Sequence, residues 1–385
     1  MHILQIYKDY FPVLGGIENH VRDLSAALAE RGHRVTVLVT SRDHTTLVAQ
    51  PQANMTVIKA ARTFYAASTP LSAAMFAYAR QLRPDLVHLH IPYPPGDIAA
   101  RCVRGHPPLI ITYHSDIVRQ KNLLRAYRPL LEATLHRAAT IIATSPNYIA
   151  SSPFLKRYAA KCVVVPLGIE IERFADVENS KLTAVEHSTF KTQNPTRKTL
   201  LFVGRLRYYK GLHVLLDALP LVDATLLIGG TGPELARLAA QAAQLGVASR
   251  VRFLGDVADA DLPALYHSAD VFVLPAHLRA EALGLALIEA MASGLPCVST
   301  ELGTGTSFVN KHGETGLVVP PADRAALAHA LNALLADAAL RQRYGAAARE
   351  RARTLFSRQS MVDGVERVYA DALRESVKGK VMSSK

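Results

Sequence analysis

Apolar residues fall along this chain in short, nearly unbroken runs, separated by stretches in which they recur every three or four positions. The runs at 2–6, 35–40, 54–59, 86–90, 109–113, 140–143 and 162–165 are dominated by Val, Ile and Leu. Such runs predict strands of a parallel sheet covered on both faces. Helical spacing over 16–31 separates the first two and stops at Gly32, a residue suited to ending a helix. The rhythm breaks at 171–198, where 179–197 is polar, aperiodic and contains Pro195, which predicts an exposed connection. It then restarts, with strands at 199–203, 224–228, 250–254, 271–274, 297–300 and 315–319 and helices at 211–219 and 233–245. From residue 322 onward the chain is helical in pattern and rich in Ala and Arg.

The expected fold class is therefore α/β, as two doubly wound, Rossmann-like domains facing across a cleft. Their expected bounds are 1–172 and 199–355, with 173–198 as linker and 356–385 as a helical tail crossing back to the first domain. Ligands in such sheets sit at the carboxyl ends of the strands, so the segments that follow strands carry the candidate chemistry.

Composition narrows the options. With 49% hydrophobic and 20% charged residues the chain can bury real cores, which excludes a disordered or fibrous protein. No stretch of eighteen uncharged apolar residues predicts a membrane span, and the start lacks the order of a signal peptide, so a cytoplasmic location is expected. Cys102, Cys162 and Cys297 form no CxxC pair and read as buried thiols. Net charge does change the picture: 44 basic against 32 acidic residues give +12, a field that attracts phosphates, anionic headgroups or nucleic acid. Nucleic acid is set aside because no motif of interleaved aromatic and basic residues is present. The charge is densest from Arg101 to Arg137, with Arg104, Arg119, Lys121, Arg125 and Arg128 opposed only by Asp116 and Glu132. Leu123, Leu124, Leu130, Leu131 and Leu135 recur there at helical spacing. Two readings stand: the solvated face of a core-packed helix, or peripheral contact with an anionic membrane.

Four post-strand segments hold the candidate residues. Gly15-Gly16 opens the first helix, where bare backbone can approach a phosphate. Arg205 and Lys210 lie in the turn after the strand at 199–203, and a fork and a point charge together can neutralise a diphosphate. Glu281 and Glu289 bracket Gly284 and the start of a helix at Leu285. The first would lie beside free helix amides, and the second, in an otherwise apolar helix, needs a partner. His114 follows the strand at 109–113, with Asp116 as a further candidate base, while His88 and His90 read as hydrogen-bonded structural histidines. The acidic Asp259-Ala260-Asp261 precedes a helix and reads as an N-cap rather than a metal site.

Taken in order, Gly15-Gly16-Ile17-Glu18, His114, Gly204-Arg205-Leu206 with Lys210-Gly211, and Glu281-x7-Glu289 resemble the large retaining glycosyltransferase family 4, of GT-B fold, over nearly the full length. The resemblance implies that Arg205 and Lys210 bind the diphosphate of a nucleotide-sugar donor, with Gly15, Gly16 and Leu285 close by. It implies that Glu281 contacts donor-sugar hydroxyls, helped by Ala282, Leu283 and Gly284, and that Glu289 holds the ribose. Gly230 and Val257, in Gly229-Gly230-Thr231-Gly232 and Gly255-Asp256-Val257, would line the base pocket, and His114 would act near the transferred carbon. No metal and no cofactor are expected, the donor being a substrate. The segment Glu301-Leu302-Gly303-Thr304-Gly305-Thr306-Ser307-Phe308-Val309-Asn310 is similar to bacterial mannosyltransferases of lipopolysaccharide O-chains, which implies GDP-mannose and a glycan or lipid-linked glycan acceptor. A GT-B sugar-nucleotide epimerase and a non-catalytic nucleotide-sugar-binding protein are the alternatives.

Overall fold

The computed structural model describes residues 1–13, 15–66, 69–117, 120–175 and 197–383. Arg119 and nearly all of the connection expected at 179–197 lie outside the described residues. The chain divides into two compact units, Met1–Gly168 with Arg358–Lys385, and Ile169–Ser357.

The first unit begins with β1 (His2–Ile6), β2 (Arg34–Thr40), β3 (Leu47–Gln52) and β4 (Met55–Ala60), followed by a small antiparallel pair, β5 (Phe64–Ala66) and β6 (Thr69–Leu71). It continues with β7 (Leu86–Ile91), β8 (Leu109–Tyr113), β9 (Thr140–Ala143) and β10 (Cys162–Val164). The eight-stranded sheet runs β10-β9-β8-β7-β1-β2-β4-β3. It is parallel except for β3, which runs antiparallel to β4 at the edge. The expected strands all form, within a residue or so at each end. The helix Gly16–Glu30 covers one face with Val21, Leu24 and Leu28. The final helix, Arg358–Ser383, lies in the same core through Met361, Val362, Val365, Val368 and Tyr369. Its outer face is tied down by Arg31, which pairs with Asp363 at 2.7 Å and with Glu366, and by His33, 2.8 Å from Glu366.

The second unit has six parallel strands: β11 (Thr199–Val203), β12 (Thr225–Gly229), β13 (Val251–Gly255), β14 (Val271–Leu274), β15 (Cys297–Thr300) and β16 (Gly316–Val319). Their order, β13-β12-β11-β14-β15-β16, reverses direction between β11 and β14. Chain leaving those two neighbours diverges to opposite sides and opens a crevice at their carboxyl ends.

The N-cap expected at Asp259-Ala260-Asp261 does not form. The helix Leu262–His267 does follow Asp261, but Asp261 has helical backbone angles and its side chain caps nothing. Its N–H instead closes a turn onto the carbonyl of Ala258, so the helix grows out of a preceding turn rather than from an acidic cap. In the basic region, the helix Lys121–Arg137 buries Tyr127, Leu131 and Leu135 and leaves Leu123, Arg125 and Arg128 exposed. Arg128 and Arg157 both pair with Glu132 there. Cys297 is buried, whereas Cys102 and Cys162 are only half-buried; all three are free thiols. Among the described residues no helix is long and apolar enough to cross a membrane.

Candidate functional site

In the second unit the expected donor-binding segments assemble at the carboxyl ends of β11 to β14. Backbone bonds link three of them: Gly204 N–H to Gly229 O, Leu206 N–H to Thr231 O at 2.8 Å, and Gly230 N–H to Gly255 O at 2.6 Å. Gly230 has to be glycine twice over, since its φ is 125° and a Cβ would stand 2.2 Å from the carbonyl oxygen of Gly204. The turns carrying Arg205, Gly230 and Val257 are thus a single bonded surface. Arg205 is exposed and makes no hydrogen bond or ion pair among the described residues.

Lys210 and Glu281 meet across the switch point. Lys210 leaves β11, Glu281 follows β14, and Lys210 Nζ lies 2.6 Å from Glu281 Oε2 with the side chains 13% and 10% exposed. Burial pulls the Lys210 ammonium down, but the Glu281 carboxylate more than reverses this, and its pKa ends above the ordinary lysine value. The backbone at Glu281 is fixed from the next strand loop: Thr304 Oγ1 donates to Glu281 O, and Gly305 N–H donates to Ala282 O. That loop is itself pinned, with Glu301 Oε1 accepting from Gly303 N–H and Ser307 Oγ. Leu283 is buried, and Gly284, at φ 86°, turns the chain into the helix Leu285–Ala292. The first N–H groups of that helix have no acceptor within it.

Glu289 lies one turn into the same helix, and its partner is a residue that sequence reasoning missed. Tyr266, fully buried between Phe174 and Phe272, donates its hydroxyl to Glu289 Oε2 at 2.6 Å. Burial pushes the Glu289 carboxyl up, and the Tyr266 hydroxyl and Arg173 work against that rise. A buried phenol needs an acceptor, so the tyrosine in Leu262-Pro263-Ala264-Leu265-Tyr266 was the available signal.

In the first unit His114 follows β8 and is 4% exposed. Its Nε2 lies 3.0 Å from Nδ1 of His90, and the two rings stack. The helix opened by Gly16 sends His20 against both, with ring centroids 5.4 and 5.5 Å away. His20 is also new to the site; both its ring nitrogens are buried without a hydrogen-bond partner. His88 and His90 are hydrogen-bonded, to Tyr369 and Thr112 and to Gln5 and His114 respectively. Burial holds all four imidazoles below the ordinary value, His20 at about 4 and His88 at about 3, so they are neutral at pH 7. His20, His90 and His114 each offer a nitrogen within 4.8 Å of the others. The trio contains no carboxylate to balance a dication in this buried setting, and His90 and His114 are already bonded to each other. Gly15 is extended rather than left-handed, yet a Cβ there would meet Glu18 Oε2 at 2.2 Å, because Glu18 folds back under the turn. Asp116 is half-buried, and its Oδ1 accepts from the Tyr113 and Ser152 hydroxyls, which anchors the loop after β8.

Comparison with known proteins bears on the family and the fold. Residues 14–173 match the model of Glycosyltransferase Family 4, and 185–351 match that of Glycosyl transferases group 1. The D-rhamnosyltransferase WbpZ of Pseudomonas aeruginosa is 40% identical over 361 residues, covering 93% of this chain and 92% of that protein. The O-antigen chain mannosyltransferase C of Escherichia coli is 37% identical, covering 97% and 99%. Among solved structures, the sucrose-phosphate synthase of Thermosynechococcus elongatus superimposes with a TM-score of 0.82 at 25% identity, over 97% of this chain and 99% of that one. With both halves matched and relatives this similar along nearly its whole length, the chain belongs to the group 1 glycosyl transferases of glycosyltransferase family 4, and is a hexosyltransferase of GT-B fold.

Proposed function

We propose that the protein transfers mannose from GDP-mannose, with retention, to a hydroxyl of a glycan or lipid-linked glycan in the synthesis of a surface polysaccharide. The observation that carries this reading is the buried Lys210–Glu281 pair at the switch point of the second sheet. A donor diphosphate competes for the lysine and releases the carboxylate to the sugar hydroxyls. Arg205 and Lys210 then balance the charge that grows on the departing diphosphate, with Leu285 at the helix start and the Gly15-Gly16 turn contributing backbone dipoles. Glu281, with Ala282, Leu283 and Gly284, takes the sugar. Glu289 takes the ribose, Gly230 and Val257 border the base, and His114 works beside the reacting carbon. The C1–phosphate oxygen bond breaks, the acceptor oxygen bonds to C1 on the same face, and its proton passes to the leaving phosphate. These charges supply what a metal would, so the proposed step uses none.

The manno-configured sugar is supported by the two relatives, one named for mannose and the other for D-rhamnose, which is 6-deoxymannose. Calorimetry with GDP, UDP and ADP tests the donor: selective binding of GDP and GDP-mannose is expected, and selective UDP binding would discard the donor while leaving the transferase. Tyr266→Phe tests the ribose role. Losing one hydrogen bond to this half-buried carboxylate is worth about 1–2 kcal/mol, so nucleoside diphosphate affinity should drop about five- to thirtyfold; an unchanged affinity refutes the role of Glu289.

Peripheral contact with an anionic membrane is part of the same reading. Exposed Leu123 beside Arg125 and Arg128 supports it. Sedimentation with anionic vesicles at low salt should carry the protein down, and equal recovery with neutral vesicles would remove the membrane from the proposal.

A further inference from the structure

One face of the first sheet, otherwise apolar, carries a line of polar side chains under the helices Gly16–Glu30 and Arg358–Ser383. Gln5 on β1 is in register with His88 on β7, and His90 is in register with Thr112 on β8, two residues before His114. All five are buried. Buried polar groups at such positions are costly unless bonded, and these are bonded in series. His114 Nε2 meets His90 Nδ1 at 3.0 Å, and His90 Nε2 meets Gln5 Oε1 at 2.8 Å. Gln5 Nε2 meets the Tyr369 hydroxyl at 3.2 Å. That hydroxyl meets His88 Nδ1 at 2.6 Å, and His88 Nε2 meets Thr112 Oγ1 at 2.6 Å.

The polarity of the chain follows from chemistry. Turning the Gln5 amide over would set oxygen against oxygen at 3.2 Å, beyond the usual O–H···O range, whereas an amide N–H donating to a phenol fits that distance. Gln5 Oε1 therefore faces His90 and can only accept, so His90 carries its proton on Nε2. A neutral His90 then has a bare Nδ1, which His114 must fill by donating from Nε2. At the other end Tyr369 accepts from Gln5 and donates to His88, which in turn donates to Thr112. Five hydrogen bonds run in one direction, and each neutral imidazole is left one form.

We propose that Gln5, His90 and Tyr369 are positioning residues that lock His114 as its Nε2–H tautomer, leaving Nδ1 as a bare acceptor for a hydroxyl of the transferred sugar. The sugar contact rests on the function proposed above; the tautomer does not. The C-terminal helix thereby enters the active site at second hand, since Tyr369 holds Gln5, and Gln5 sets the histidine pair.

The test is a long-range proton–nitrogen correlation spectrum of the full chain labelled with 15N-histidine at pH 7.5, with His90→Asn and His114→Gln samples for assignment. Both residues should show Nε2–H and a bare Nδ1. Nδ1–H at His114 overturns the proposal, as does a shift of the His20, His90 and His114 signals on treatment with EDTA or added zinc, which would make the cluster a metal site. The kinetic arm uses a transfer assay. Gln5→Leu should lower kcat roughly 10- to 100-fold while KM for the donor stays within about twofold. Gln5→Glu, which keeps the acceptor for His90, should recover most of that loss, and Tyr369→Phe should fall between the two. A Gln5→Leu protein with wild-type kcat and an unaltered His114 signal overturns the relay. If His114→Ala keeps full turnover while the tautomer is as expected, the sugar contact fails and the locked tautomer stands.

Discussion

Glu281→Ala is expected to lose about 10²–10³-fold in kcat and, separately, to destabilise the second unit by about 3–5 kcal/mol. The two losses have one origin. Lys210 is 13% exposed and its Nζ has a carboxylate at 2.6 Å. Removing that carboxylate leaves an ammonium with little water and without its ion-pair partner, Glu289 acting on it only more weakly, and a poorly compensated buried charge is among the most costly single defects a core can carry. Lys210→Met should also be destabilising, because it leaves the buried Glu281 carboxylate without its ion-pair partner. The double variant Glu281→Ala/Lys210→Met should be more stable than the sum of the singles predicts, by about 1–3 kcal/mol. Activity should behave differently: on the proposed function each residue has its own role toward the donor, so removing the second is expected to recover nothing. Glu281→Gln separates the effects further: it keeps the shape and an oxygen for Lys210, so it should hold much of the stability and little of the activity. Urea denaturation and a transfer assay on the same preparations decide the matter. A folded Glu281→Ala enzyme turning over within about threefold of wild type would end the sugar-contact assignment.

How much of this was legible beforehand follows from the range of the forces involved. Strands such as Leu109–Tyr113 and Val271–Leu274 appear in the sequence at their final bounds because burial on both faces demands an unbroken apolar run. Their ends point to the site, because chemistry in these sheets collects where strands stop. β3 is hidden for the converse reason: it is an exposed edge strand whose apolar run, Leu47-Val48-Ala49, is only three residues long before Gln50 and Pro51, and its single partner is β4. Pairings between distant residues are equally hidden. Gln5 and Tyr369 lie 364 positions apart, and nothing local to either tells of the other. What the sequence does hold is the anomaly: a glutamine in His2-Ile3-Leu4-Gln5-Ile6 and two histidines in Leu86-Val87-His88-Leu89-His90-Ile91 are polar residues where apolar ones are cheaper. Read that way, the partners are demanded although not identified. Asp261 shows the opposite failure. The local cap signal was present, and the preceding turn took its place.

The same buried histidines make the first unit acid-labile. His20 titrates at about 4 and His88 at about 3, with His90 and His114 also well below the ordinary value, all because burial disfavours the charged form. In the unfolded chain each takes a proton near pH 6.5. Below that pH the unfolded state binds more protons than the folded one, so stability present above pH 6.5 is lost as the pH falls toward the folded values. Each group contributes about 1.4 kcal/mol per pH unit, or about 2 kcal/mol by pH 5. Carboxyls of the same unit act in the opposite sense. Burial raises Asp97 to about 7 and raises Glu18 as well, and their folded forms gain protons first as the pH falls. Asp97 alone offsets about 2 kcal/mol between pH 7 and 5. The four histidines, at about 2 kcal/mol each, outweigh Asp97, and Glu18 offsets part of the remainder, so a net loss is expected, to be read from hydrogen exchange of the β7 and β8 amides at pH 7.5 and 5.0. His20→Phe isolates the cause. Its ring nitrogens have no partner to lose, so the variant should be more stable than wild type at pH 7.5 by about 1 kcal/mol. It should also recover a further 2 kcal/mol or so at pH 5. Protection that is flat across this range, or an acid sensitivity that His20→Phe leaves untouched, would mean that the cluster takes up protons while folded and that its neutral state is wrong.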